Sequence, residues 1–92
     1  MKVIRKHEIR KFTNAKGNGV ILNVDLLDAS NTEIRAVFFN EAVHKFEPIL
    51  EERKIYLMSD GLVRLANKKY TSNPNDYELT FGPYADIQEA AN

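Results

Sequence analysis

Residues 33–50, EIRAVFFNEAVHKFEPIL, change their period in mid-course. Ile34, Ala36 and Phe38 alternate with Arg35, Val37 and Phe39, and successive side chains of an extended strand point to opposite faces, so Phe38 and Phe39 must part company. Asn40 then offers a helix N-cap with Glu41 in the first turn, and Val43, Phe46, Ile49 and Leu50 follow at helical spacing. The pattern predicts a strand running directly into a short amphipathic helix. Pro48 removes a backbone hydrogen bond and loosens the last turn, and the helix ends near Glu51. If Ile34, Ala36 and Phe38 line the core, Arg35 and Phe39 occupy the opposite, open face. The competing reading makes Phe39 a second-face core residue beneath the helix.

Upstream, Val20, Leu22, Val24 and Leu26 alternate with Asn23 and Asp25, a half-buried strand flanked by turn chemistry at Lys16-Gly17-Asn18-Gly19 and at Asp28-Ala29-Ser30-Asn31. The first flank reads as a flexible lip, because glycine permits such motion. Val3 to Phe12 is a weaker strand candidate. Downstream, Lys54 to Ser59 and Leu62 to Ala66 are apolar-rich runs separated by Asp60-Gly61, a strong hairpin signal, and are expected to pair antiparallel. Ser72-Asn73-Pro74-Asn75 makes a turn, after which Tyr77, Leu79 and Phe81 alternate with Glu78 and Thr80 in a last strand. Residues 1–81 thus form one domain, and residues 82–92 a polar tail or linker. Short strands around one helix between the third and fourth fit an all-β OB fold, a five-stranded, partly open Greek-key barrel. Another small α+β sheet is the alternative.

Composition narrows the function classes. The chain has 92 residues and no cysteine, which excludes disulfide scaffolds, cysteine nucleophiles and thiolate metal sites. No run of about 18 apolar residues is present to span a bilayer, so membrane insertion is set aside. Thirteen basic and thirteen acidic residues give zero net charge, but the two signs are segregated. Lys2, Arg5, Lys6, Arg10, Lys11 and Lys16 face only Glu8 among the first sixteen positions, and Arg64, Lys68 and Lys69 share a second acid-free stretch. Acids gather at Glu41, Glu47, Glu51 and Glu52. His7 and His44 lie on different elements without metal-site spacing and read as surface histidines. No phosphate-cradling loop joins a strand to a helix.

The run from Glu33 to Phe81 resembles the tandem DNA-binding OB domains in the large subunit of replication protein A, the eukaryotic single-stranded DNA-binding protein, and the first of those domains above all. The likeness extends from about Ile9 to Phe81. It is carried by Ile34, Arg35 and Phe39 to Glu41, by LANK at Leu65 to Lys68 with an aromatic at Tyr70, and by NDYELTF at Asn75 to Phe81. The resemblance implies that Phe39 and Tyr70 stack on successive bases, that Arg10, Lys16, Arg35, Arg64 and Lys68 supply the basic groove, and that Asn40 and Glu78 hydrogen-bond bases or shape the groove. Phe12 shares parity with Arg10 and offers a third ring. Ala15 stands where relatives carry serine, and Lys16 and Arg64 each exchange one cation for the other, which keeps charge but alters bidentate geometry.

The resemblance further implies a non-catalytic protein without cofactors that binds single-stranded DNA in replication, repair and recombination in the nucleus. Its expected partners are further OB domains after residue 92 and the other subunits of a heterotrimer. Relatives carry more chain before Val3, so this polypeptide reads as an excised fragment with a truncated first strand. A protein-interaction OB module with little nucleic-acid affinity is the alternative function, favoured by zero net charge and the acidic helix. A binder of single-stranded RNA or telomere ends is a third.

Overall fold

The computed structural model describes residues 1–15, 17–66 and 75–90. Its elements are β1 (Lys2–Lys6), β2 (Arg10–Asn14), β3 (Gly17–Leu27), β4 (Glu33–Phe39), α1 (Glu41–Phe46), β5 (Tyr56–Ser59), β6 (Leu62–Leu65), β7 (Tyr77–Phe81) and β8 (Asp86–Glu89). Strands β1, β3, β4, β7 and β6 lie side by side in that order, with β2 also pairing β3, while β5 and β8 form a separate pair. The parallel β4–β7 pairing stands among antiparallel ones.

Three of the five OB strands are broken by bends. β1 and β2 both pair with β3 and form the first strand; β5 and β6 together form the fourth, β7 and β8 the fifth. The seam between the first and fourth strands is a single bridge, Lys2 to Ile55, with Val3 N–H donating to Lys54 C=O at 2.9 Å and Tyr56 N–H to Met1 C=O at 2.8 Å. The sheet therefore stays open as a barrel, as expected of this fold.

Three local expectations are corrected. The runs around Asp60-Gly61 do not pair with one another: β5 pairs with β8 and β6 with β7. Asp60 adopts φ 65°, and a Cβ on Gly61 would stand 2.7 Å from the Phe81 ring, so the dipeptide bends one strand around that ring. Residues 82–92 are not simply a polar tail, because Asp86–Glu89 forms β8 and Ala85 and Ile87 join the core. Gly17 to Gly19 is not a loose lip either; it opens β3, paired to Phe12, Thr13 and Asn14.

The helix also stops at Phe46, short of the expected Glu51. Pro48 has no N–H to continue it, and the carbonyls left over find other donors. Lys6 Nζ reaches Glu47 C=O at 2.7 Å and Leu50 C=O at 3.0 Å. The Tyr56 hydroxyl donates to Ile49 C=O at 2.9 Å and accepts from Glu51 N–H at 2.8 Å. Beneath α1, Phe38 packs between Phe46 and Phe81 at ring separations of 5.7 and 5.4 Å, with Leu22, Val24, Leu26 and Val43 around them.

The β3–β4 turn is stapled by one carboxylate. Asp28 Oδ1 accepts from Ser30 N–H at 2.9 Å, Ser30 Oγ at 2.8 Å and Thr32 N–H at 2.9 Å. The Thr32 N–H, followed by the Ser30 hydroxyl, holds this carboxyl below its ordinary value. A folded-state pKa below the unfolded one stabilises above the unfolded value and is lost as pH falls through the folded one. Asp28→Ala should therefore lower Tm at neutral pH, and the gap to the parent should close as pH drops below the ordinary aspartate range. Thermal melts at a series of pH values check this; a gap that persists in acid would refute it.

Candidate nucleic-acid interface

Phe39 ends β4 on the face opposite Phe38, as its parity predicts, and 38% of it is exposed while Phe38 is fully buried. The second-face core reading of Phe39 is thereby excluded. Phe12 meets it edge-on, with ring centroids 6.3 Å apart and planes at 83°, which pairs the positive ring edge with the negative ring face. Phe12 can lie there because its strand partner is Gly19: a Cβ at Gly19 would stand 2.3 Å from Phe12 Cζ.

Cross-strand partners share a face, so the register assembles the rest of this surface. Arg10 pairs with Ile21, which pairs with Phe39. One further row crosses five strands with alternating sign: Arg5, Asp25, Arg35, Glu78 and Arg64. Arg10 and Arg64 are exposed and Glu78 is half-buried.

Arg35 takes the predicted face but not the predicted state. It is 7% exposed, with Nε donating to Asp25 Oδ1 at 3.0 Å, and is therefore an ion-pair partner more than an open groove cation. Asp25, which its alternation assigns to solvent, is 3% exposed; the sequence gives no signal for it, because its partners lie 18 to 20 residues upstream and 10 downstream. Arg5 Nε approaches Asp25 Oδ2 at 3.3 Å, and His7 Nε2 approaches the same oxygen at 2.9 Å. His7 is consequently part of this network and not a plain surface histidine.

Asn40 also departs from expectation. Its side chain makes no cap bond to α1. With φ 50° and ψ −113°, its backbone N–H donates to Val20 C=O at 3.0 Å while its Oδ1 accepts from Val20 N–H at 3.1 Å. Its own carbonyl turns away to accept from Val43 N–H at 3.0 Å. The side-chain carbonyl thus replaces the main-chain one as the last rung of the β3–β4 ladder. Because Val20 supplies a proton there, the amide orientation is forced and Nδ2 remains the group available to a ligand.

Lys16, Lys68 and Tyr70 lie outside the described residues. Among the described residues no three His, Cys, Asp or Glu side chains cluster so as to hold a metal ion.

No family model matches the chain. Among curated proteins it is 42% identical over 90 residues to a replication protein A 70 kDa DNA-binding subunit of rice, covering 98% of this chain and 14% of that one. It is 44% identical over 80 residues to the mouse replication protein A 70 kDa DNA-binding subunit, covering 87% of this chain and 13% of that one. The chain thus spans about one seventh of the length of these relatives. Among solved structures, a replication protein A heterotrimer bound to single-stranded DNA matches with a TM-score of 0.91 at 38% identity, over 99% of this chain and 21% of that one. The solution structure of DNA-binding domain A of replication protein A from S. cerevisiae matches with a TM-score of 0.80 at 36% identity, over 99% of this chain and 79% of that one. With the sheet order, the broken strands and most of the second chain in common, this polypeptide belongs to the family of OB-fold DNA-binding domains of the replication protein A large subunit.

Proposed function

We propose that this chain is a non-catalytic module that binds a short stretch of single-stranded DNA. Unpaired bases stack on Phe39 and Tyr70, Arg10, Lys16, Arg64 and Lys68 meet the phosphates, and Glu78 borders the groove. The observation that carries this reading is the Phe39 ring, left 38% exposed on a face that also presents Arg10 and Arg64. An aromatic ring kept out of the core loses burial that a stacked base restores, and every base has a face to offer. The relative solved on single-stranded DNA supports the ligand. By the same likeness, the chain works beside further OB domains and the other subunits of a heterotrimer, in replication, repair and recombination in the nucleus.

A second reading, a protein-interaction module, is favoured by β6. Leu62, Val63 and Leu65 of this edge strand are 67%, 65% and 75% exposed.

Fluorescence anisotropy with labelled oligothymidine separates the two. Saturable binding at low salt, competed by unlabelled single strand and not by duplex, is the expected result. If four cations each neutralise a phosphate, the log–log salt slope should be about −3, at roughly 0.7 per charge. A folded sample that shows no saturable binding leaves only the interaction reading.

A further inference from the structure

A cavity of about 680 Å³ opens beside the ring pair, between the β2–β3 hairpin and the first turn of α1. Its volume is that of an ordinary small-ligand site. Phe12 and Gly19 line it from the hairpin; Asn40, Glu41 and His44 line it from the other side. Phe39 is not among its walls, so Phe12 borders both the exposed ring and this separate space.

The chemistry of the lining selects among occupants. A free phosphate is disfavoured by the Glu41 carboxylate. A flat heterocycle can rest against Phe12, place an acceptor before Asn40 Nδ2 and offer an N–H to Glu41. Gly19 keeps this possible, since a Cβ there would stand 2.3 Å from Phe12 Cζ and 2.6 Å from Asn40 Oδ1. We propose that this cavity is a third base seat, holding one nucleobase edge-first between Phe12 and the Asn40–Glu41 pair, off the path that joins Phe39 to Tyr70. Every natural base carries a donor beside an acceptor on its Watson–Crick edge. The seat therefore accepts any base and rejects one whose edge is already engaged in a duplex. This inference rests on the single-strand reading above.

An abasic scan tests it. A single abasic site is walked along an oligothymidine and affinity is measured at each position with the 92-residue chain. Two sensitive positions belong to Phe39 and Tyr70; a third, at which loss of the base weakens binding about three- to tenfold, belongs to the cavity, the scale of a hydrogen bond or two. Asn40→Asp keeps an acceptor for Val20 N–H and deletes the Nδ2 donor. It should flatten the third position while leaving the other two sensitive, and Glu41→Gln should blunt it, both with unchanged melting curves. An oligonucleotide that binds with only two sensitive positions overturns the base seat and leaves the single-strand reading intact, as does a third position that survives both substitutions. Failure of the intact oligonucleotide to bind overturns both.

Discussion

Asp25→Ala should destabilise the chain by about 3–5 kcal/mol, the scale measured when one partner of a buried ion pair is removed. The carboxylate is 3% exposed and faces an Arg35 that is 7% exposed, so its loss leaves a guanidinium in the interior with its charge uncompensated. Arg35→Ala should cost distinctly less, because Asp25 keeps Arg5 at 3.3 Å and His7 at 2.9 Å, and Arg5 is itself well solvated. Replacing both by leucine should recover much of the loss, since burying neither charge avoids their desolvation. Urea unfolding checks the order: the midpoint should fall furthest in Asp25→Ala with the slope m unchanged. A cost below about 1 kcal/mol for Asp25→Ala, as for an exposed pair, would mean that the interior is wetter than this geometry allows.

That network marks the limit of what the chain's pattern discloses. Period two in residues 33–39 places Phe38 inside and Phe39 outside, because alternation is a local property and burial on one face fixes its phase. The same rule assigns Asp25 to solvent, whereas the fold buries it. A lone acid between apolar neighbours says nothing of Arg5 and Arg35 on adjoining strands. Asp60-Gly61 reads as a hairpin because turn propensity is local, whereas the partners of β5 and β6 are β8 and β7, about 20 residues on. Ala85 and Ile87 are too few to announce a strand, yet both are buried against the core. Asn40 has the composition of a cap and the geometry of a ladder rung, which no propensity distinguishes. The aromatic and basic positions of the interface are legible through family resemblance, and of these Phe39, Arg10 and Arg64 are exposed where a ligand can reach them.

Phe39 offers the sharpest functional test because its neighbour supplies the control. Base stacking is worth about 1–3 kcal/mol per base by alanine substitution, so Phe39→Ala should weaken oligothymidine binding about five- to 150-fold. The fold should lose little, since the ring is 38% exposed and meets Phe12 only edge-on, a contact worth about 0.5–1.5 kcal/mol. Phe38→Ala, one residue away, removes a fully buried ring stacked 5.4 Å from Phe81 and should cost about 3–5 kcal/mol of stability. Phe39→Tyr and Phe39→Trp keep a flat face and should restore most of the affinity, which separates stacking from mere bulk. Anisotropy and thermal melts on the four variants give the comparison directly. An Ala variant at position 39 that binds as well as Lys69→Ala, or one that unfolds as Phe38→Ala does, would show that this ring is not the platform. The open face of β4 would then be left without the feature that selects unpaired bases.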